Sequence, residues 1–113
     1  MAADTVFGKI LRKEIPAVFL YEDDQCVVIK DVHPQAPFHV LVIPKKPLES
    51  LGDAAAADQA LLGHLVMVAK IAAEKAGFGK AFRIVSNTGA GAGQSVAHLH
   101  IHVLAGRQLL GLG

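Results

Sequence analysis

The stretch 98-HLHIHVLAGR-107 places three of the chain's six histidines at alternate positions. In a β-strand successive side chains point to opposite faces, so His98, His100 and His102 would share one face. The residues between them are aliphatic and suit the core side of a sheet. Because a buried imidazole has two nitrogens that need partners, three on one face make a poor core. The stretch therefore predicts a strand with one functional face and one apolar face.

The composition predicts a single folded domain over residues 1–113. The chain is 52% hydrophobic and has a formal net charge of +1 at pH 7. A chain of this length buries about two-thirds of its unfolded surface, and this composition excludes a disordered chain. The small net charge provides no basic field for binding nucleic acid. We therefore expect a small molecule or a second copy of the chain as partner.

Cysteine usage and apolar runs indicate a cytoplasmic protein. Cys26 is the only cysteine, so no disulfide forms within the chain, and a buried thiol is expected. Residues 1–16 lack the basic start and apolar stretch of a signal peptide. No run is expected to span a bilayer, so no membrane partner is predicted.

The pattern of apolar residues predicts an α+β domain with a five-stranded, mainly antiparallel sheet. Alternation and flanking turn residues place the strands over 18–22, 26–30, 38–44, 81–86 and 98–104. The strand over 38–44 is apolar on both faces apart from His39, which predicts a central position in the sheet.

One short and one long helix complete the predicted fold. The short helix follows a cap at Asp4 or Thr5 and is stopped by the chain's first proline. The long helix starts near Asp53 or Asp58 and ends at Gly77, which suits a left-handed cap. Its core face is predicted to comprise Leu61, Leu65, Val68, Ala72 and Ala76.

The loop 87-NTGAGAGQS-95 precedes the histidine strand and is rich in glycine. Its glycines permit positive φ, and its N–H groups would form a nest for phosphate oxygens. The loop lacks the dinucleotide fingerprint, because Gln94 replaces the last glycine and a strand follows instead of a helix. Beside three histidines, this loop predicts phosphoryl chemistry.

The histidine motif resembles that of the histidine triad (HIT) family. The segments 31-DVHPQAPFHVLVIPKK-46 and 91-GAGQSVAHLHIHVLAGRQ-108 are similar to the Hint branch of that family, the nucleoside phosphoramidate hydrolases. The resemblance implies a HIT-like fold whose sheet extends across a homodimer. It also implies purine nucleotide ligands such as AMP, GMP or an adenosine phosphoramidate.

Matching motif positions imply a role for each site residue. By resemblance His100 is the nucleophile, Asp31 binds the ribose hydroxyls and Val32 lines the base pocket. The implied catalytic residues are His39, Ser95, His98, His100 and His102. The implied phosphate-binding residues are Asn87, Gly93, Gln94 and Ser95, together with His100 and His102. Because the nucleotidyltransferase branch carries Gln at the third motif position, His102 indicates hydrolysis.

The predicted reaction passes through a covalent nucleotidyl-histidine. One nitrogen of His100 attacks the α-phosphorus, while a backbone carbonyl or His39 holds the other nitrogen as a donor. Ser95 and His102 stabilise charge on the phosphoryl oxygens or protonate the leaving amine. Water then hydrolyses the intermediate and releases the nucleoside monophosphate, and an acyl-adenylate would react through the same intermediate. No metal or other cofactor is required.

Other functions remain open from the sequence. A dinucleoside polyphosphate hydrolase would share the fold and nucleophile, and alternating histidines also bind zinc. A nucleotide-binding or scaffolding protein with incidental activity is a third alternative. The chain departs from the Hint pattern at Ala97, where an aromatic residue is common, and in its short tail 108-QLLGLG-113. The leaving group therefore stays open.

Overall fold

Five strands form one sheet in the computed structural model, which describes residues 4–113. The strands are β1 (Phe19–Glu22), β2 (Cys26–Lys30), β3 (Phe38–Pro44), β4 (Phe82–Val85) and β5 (Ile101–Ala105). They lie in the order β1-β2-β3-β5-β4, and each neighbouring pair is antiparallel. The predicted α+β class, the antiparallel sheet and the central place of β3 are confirmed.

The two predicted helices are α1 (Val6–Leu11) and α2 (Gln59–Lys75). Thr5 caps α1, since its hydroxyl oxygen accepts a hydrogen bond from the Gly8 N–H at 3.1 Å. The predicted end at the first proline is wrong, because Lys13 adopts a φ of +62° and turns the chain just after Leu11.

The long helix begins at the second of the two predicted starts. Asp58 precedes its first residue, and residues 51–53 and 56–58 form separate 3-10 turns instead of continuing the helix. Gly77 follows the last turn with a φ of +90°, as the predicted left-handed cap requires.

Apolar residues cover both faces of the sheet. On one face Val28, Val40 and Val42 pack against α2, and on the other Val27, Ile29 and Leu41 pack with α1. Alternate residues of β2 and β3 thus enter two cores, which explains why these strands read as continuously apolar.

The core face of α2 differs in part from the prediction. Its buried residues are Leu65, Val68, Ala69 and Ala73. Leu61 and Ala72 are partly buried, and Ala76 is exposed. By length and composition alone, the helical stretch Ala56–Lys75 would be able to cross a membrane, contrary to the prediction for the chain. The core helix of a soluble protein can have the same length and composition, so this stretch is only a weak indication of a membrane span.

The histidine strand is shorter than predicted. β5 begins at Ile101, whose backbone partner in β3 is Val42. Before that point the Leu99 N–H donates to the Leu48 carbonyl at 2.7 Å, which takes the chain away from the sheet. The alternation nevertheless continues, because Leu99, Ile101 and Val103 all enter the core beside α2. The three motif histidines therefore still face the opposite side.

Candidate active site

A cleft of about 510 Å³ opens on the histidine side of the sheet. His100 and His102 lie at its polar end, with Asp31 and Ser95 also in its wall. The rest of the wall is mostly apolar and comes from α1, residues 15–18 and the end of β2. A cleft with a polar end and a long apolar wall suits a ligand that has both a polar and an apolar part.

His100 lines this cleft, and among residues 4–113 only one of its two ring nitrogens has a hydrogen-bond partner. Its Nδ1–H donates to the carbonyl oxygen of His98 at 2.7 Å, which leaves the Nε2 lone pair for attack. Burial lowers the pKa of His100 below its ordinary value, so the ring is neutral at pH 7. The sequence left open whether a backbone carbonyl or His39 holds Nδ1 of His100, and in the structure it is the His98 carbonyl.

His39 and His102 form a hydrogen-bonded pair with a defined proton pattern. The Gln35 N–H donates to Nδ1 of His39 at 2.9 Å, so a neutral His39 carries its proton on Nε2. That nitrogen lies 2.9 Å from Nδ1 of His102 and donates to it. Neutral His102 must therefore carry its own proton on Nε2.

Burial keeps both rings of this pair neutral. It lowers the pKa of His39, and it lowers the pKa of His102 to about 4, with further repulsion from His100 and His39. His102 is thereby a fixed neutral N–H donor at pH 7.

Asp31 lies at the edge of the His39–His102 pair. One carboxylate oxygen accepts from the His33 N–H at 2.8 Å. The other lies 3.3 Å from Nε2 of His39 and 3.8 Å from Nδ1 of His102. Val32 beside it is 84% exposed at the rim of the cleft, where an apolar side chain is free to contact a ligand.

His98 does not line the cleft. Its side chain is buried, and its Nε2–H donates to the Pro44 carbonyl at 2.8 Å. Within residues 4–113, its Nδ1 is a buried side-chain nitrogen without a hydrogen-bond partner. The side chain of His98 joins the motif to the end of β3, and its carbonyl orients His100. His98 therefore positions the site and does not itself face the cleft.

The glycine-rich loop differs from the predicted nest. A 3-10 turn at Ala90–Ala92 directs the N–H groups of Ala92, Gly93 and Gln94 to carbonyls of the same loop. The nest interpretation is therefore wrong for these groups, because their N–H bonds are already used. Gly93 adopts a φ of +99° beside the Asn87 side chain.

Gln94 braces this loop. Its side-chain oxygen accepts from the Gly89 N–H at 2.7 Å, and its Nε2 donates to the carbonyls of Glu49 and Val96. Of the four loop residues expected to bind phosphate, Asn87, Gly93, Gln94 and Ser95, only Ser95 lies in the wall of the cleft, and it is exposed.

Two contributions to the site were not predicted from the sequence. The Phe7 ring packs edge-on against His100, with centroids 4.9 Å apart, and also approaches His98. The backbone N–H of Gln35 sets the His39 proton. A signal exists for Phe7, since it lies three residues before Ile10 on one helical face. A backbone donor leaves no such trace in a sequence.

Within the part of the chain that the structure describes, two groups of side chains have metal-binding donors within 4.8 Å of one another: Asp31, His39 and His102, and Asp23, Cys26 and His64. Donors on one zinc ion, each about 2.0–2.3 Å from it, lie more than about 3 Å apart. The His39–His102 contact of 2.9 Å and the Asp23–His64 contact of 2.6 Å are instead hydrogen bonds. Burial also raises the pKa of Cys26 to about 12, which opposes the thiolate that zinc requires. Neither group fits zinc as it stands.

Comparison with known proteins identifies the family of this chain. The HIT domain matches residues 12–109. A HIT-like protein of Synechocystis is 59% identical over 107 residues, which cover 95% of this chain and 94% of that protein. A 14 kDa zinc-binding protein of Zea mays is 43% identical over 107 residues, covering 93% of this chain and 84% of that protein. The crystal structure of a HIT family hydrolase from Legionella pneumophila superimposes with a TM-score of 0.92 at 39% identity, covering 95% and 96% of the two chains. This chain belongs to the HIT family and has the fold of HIT family hydrolases.

Proposed function

We propose that this protein hydrolyses purine nucleoside 5'-phosphoramidates and acyl-adenylates to the nucleoside monophosphate. The observation that carries the proposal is the free Nε2 of His100, a neutral nucleophile whose other nitrogen is held by the His98 carbonyl at 2.7 Å. The apolar wall of the cleft supports binding of a purine, and the presence of Asp31 in the same wall supports a role for its carboxylate in binding the ribose hydroxyls.

The first step transfers the nucleotide to His100. Its Nε2 attacks the α-phosphorus, so a P–N bond to the ring forms while the bond to the leaving amine breaks. The Nε2–H of His102 donates to a phosphoryl oxygen, which stabilises the charge of the transition state. The leaving amine takes a proton from the Ser95 hydroxyl or from His102, whose pKa an adjacent phosphate anion would raise.

The second step returns the enzyme to its starting state. A water oxygen attacks the same phosphorus, and the bond between phosphorus and His100 breaks. The electron pair of that bond returns to Nε2, and the proton lost by water replaces the one given to the amine. The products are a free amine and a nucleoside monophosphate. No metal or cofactor takes part in either step.

Zinc binding is the second candidate, favoured by the name of the maize relative. The hydrogen-bonded contacts in both donor groups oppose it, as shown above. Metal analysis of the purified protein distinguishes the two functions. A stoichiometric zinc ion that is lost with His39→Phe would favour the metal site over the hydrolase.

We also propose a homodimer in which two sheets join at β4. This strand is one edge of the sheet, and Ile84 on it is 38% exposed. Leu51, Leu62 and Val66 line the same shallow groove, of about 190 Å³, and two of them are exposed. An unpaired edge beside exposed apolar side chains favours self-association. Light scattering of the wild type and of Ile84→Lys tests this, since a charge at the joint should yield a monomer.

The deciding experiment measures hydrolysis of an adenosine 5'-phosphoramidate and AMP binding by the wild type and by His100→Ala. We expect turnover by the wild type, a loss of at least about 10³-fold in the variant, and AMP binding by both. His64→Ala, which removes a histidine outside the cleft, is the control and should retain activity. Binding without turnover in all three proteins would contradict the hydrolase. Hydrolysis of a diadenosine polyphosphate in preference to the phosphoramidate would favour the related alternative.

A further inference from the structure

The proton pattern of the His39–His102 pair depends on a backbone group in a loop. The Gln35 N–H donates a hydrogen bond to Nδ1 of His39, so Nδ1 must be the unprotonated nitrogen of the neutral ring. Gln35 lies between two prolines, Pro34 and Pro37. If this loop moved away, Nδ1 would lose its donor, and only Asp31 and His102 would still favour the His39 proton on Nε2. The position of residues 34–37 therefore contributes to the proton pattern of the pair.

The turn that follows β5 meets this loop at two places, the Gln35 carbonyl and the Pro37 ring. The Nε–H of Arg107 donates to the Gln35 carbonyl at 2.9 Å, and the Arg107 Nη1 donates to the Gln108 carbonyl at 3.0 Å. Gly106 adopts a φ of +98°, and a Cβ added there would lie 3.0 Å from Cβ of Pro37. The backbone at Gly106 thus approaches Pro37 so closely that a larger residue would displace the loop.

We propose that Gly106 and Arg107 are positioning residues that fix the proton pattern of His39 and His102. The carbonyl of Gln35 is held by Arg107, and its N–H is thereby aimed at His39. The Nε2–H of His39 is then available to His102, whose Nε2–H faces the cleft. Arg107 touches neither ring, so it acts through the loop. The effect on catalysis rests on the proposed function, whereas the effect on the ring protons does not.

The test is a pair of readouts on the full-length protein. Long-range proton–nitrogen NMR spectra of the ¹⁵N-labelled protein identify which nitrogen of each imidazole carries the proton. In the wild type, His39 and His102 should both show protonation at Nε2. In Arg107→Ala, both should show averaging between the two tautomers. His98 and His100, held by other carbonyls, should not change.

Kinetics supply the second readout. Arg107→Ala should lower kcat about 10-fold with KM changed less than about twofold, as is typical for loss of a group that orients a catalytic residue. Arg107→Lys, which keeps a cationic donor beside the loop, should remain closer to the wild type. Gly106→Ala, which displaces Pro37 from the other side, should reproduce the loss.

Arg83→Ala is the matched control, because Arg83 also donates to a carbonyl of the C-terminal segment, that of Leu109 at 2.9 Å, but does not contact the loop. It should leave the spectra of all four rings unchanged. The proposal is overturned if Arg107→Ala leaves the tautomers of His39 and His102 as in the wild type, or if Arg83→Ala changes them equally. If the wild type hydrolyses no nucleotide but the tautomers respond to Arg107→Ala, the hydrolase fails and the positioning role stands.

Discussion

The carbonyl oxygen of His98 accepts the Nδ1–H of His100 at 2.7 Å, so the first histidine of the motif sets the tautomer of the second through its backbone. The side chain of His98 is meanwhile anchored 54 positions away in sequence, at the Pro44 carbonyl. Two histidines with the same sequence signature thus serve different purposes. His98 belongs to the framework, and His100 is the group exposed to the cleft.

His98→Ala should lower the free energy of unfolding by about 2–4 kcal/mol. The change removes a buried ring that packs against Phe7, and it leaves the Pro44 carbonyl without its donor. Urea denaturation measures the loss. His33→Ala is the matched control, since His33 is exposed and should cost less than about 0.5 kcal/mol. Equal losses for the two variants would contradict the framework role of His98.

His39→Phe should lower kcat by about 10- to 100-fold while preserving the fold. The phenyl ring fills the same space but donates nothing to Nδ1 of His102, which then no longer has a fixed proton position. Steady-state kinetics check the expectation, with circular dichroism and AMP binding as controls of folding. A wild-type kcat in this variant would show that the pair has no catalytic role.

The free energy of unfolding should decrease as the pH falls from about 6.5 to 5. In the unfolded chain the imidazoles take up protons near pH 6.5, whereas burial lowers the pKa of His39, His100 and His102 in the native state. The unfolded state therefore binds more protons in this range, and acid favours it.

Urea titrations at several pH values test this slope. His102→Gln, which removes the ring whose pKa is lowered to about 4, should lose stability less steeply between pH 6.5 and 5. Carboxylates with lowered pKa values contribute only at more acidic pH, so they do not mask the effect. Parallel curves for the two proteins would disagree with a neutral, buried His102.

Gly93→Ala should destabilise the protein by about 1–2 kcal/mol and weaken AMP binding. Gly93 has a φ of +99°, a conformation that is unfavourable for alanine. Gly93 also closes the loop that the Gln94 side chain holds by hydrogen bonds. Gly91→Ala is the control, because Gly91 lacks a positive φ and a Cβ there would meet nothing within 4 Å. Thermal denaturation and calorimetric titration of AMP distinguish them. Equal behaviour of the two variants would contradict the conformational requirement.

Cys26 should react slowly with thiol reagents in the native protein. Its side chain is fully buried, and burial raises the pKa of its thiol to about 12, so almost none is thiolate at pH 8. In urea, labelling with a chromogenic disulfide should be complete at once. Without urea, labelling should proceed only through unfolding of the whole protein. Rapid labelling of the native protein would show that the hairpin around Cys26 opens locally.

Much of the fold could be predicted from local pattern. The hairpin, β3, the long helix and its Gly77 cap follow from side-chain periodicity and turn chemistry, which act over a few residues. The start of β5 could not be predicted, because the Leu99 N–H is taken by the Leu48 carbonyl from a distant segment. The predicted nest was wrong for the N–H groups of Ala92, Gly93 and Gln94 for a similar reason, since they are used within a 3-10 turn that the glycines alone do not specify.

The sequence by itself determined which face of the sheet the three motif histidines share, since alternation along an extended chain requires only the chain. It also determined that Leu99, Ile101 and Val103 enter the core. Only the tertiary structure decided which ring nitrogens carry protons and which histidine faces the cleft. The His98 and His102 protons depend on hydrogen bonds that involve Pro44, Gln35 and His39, which are distant in sequence from the motif and meet it only when the sheet has formed. The His100 proton depends on the His98 carbonyl, whose orientation follows from the fold of the segment before β5.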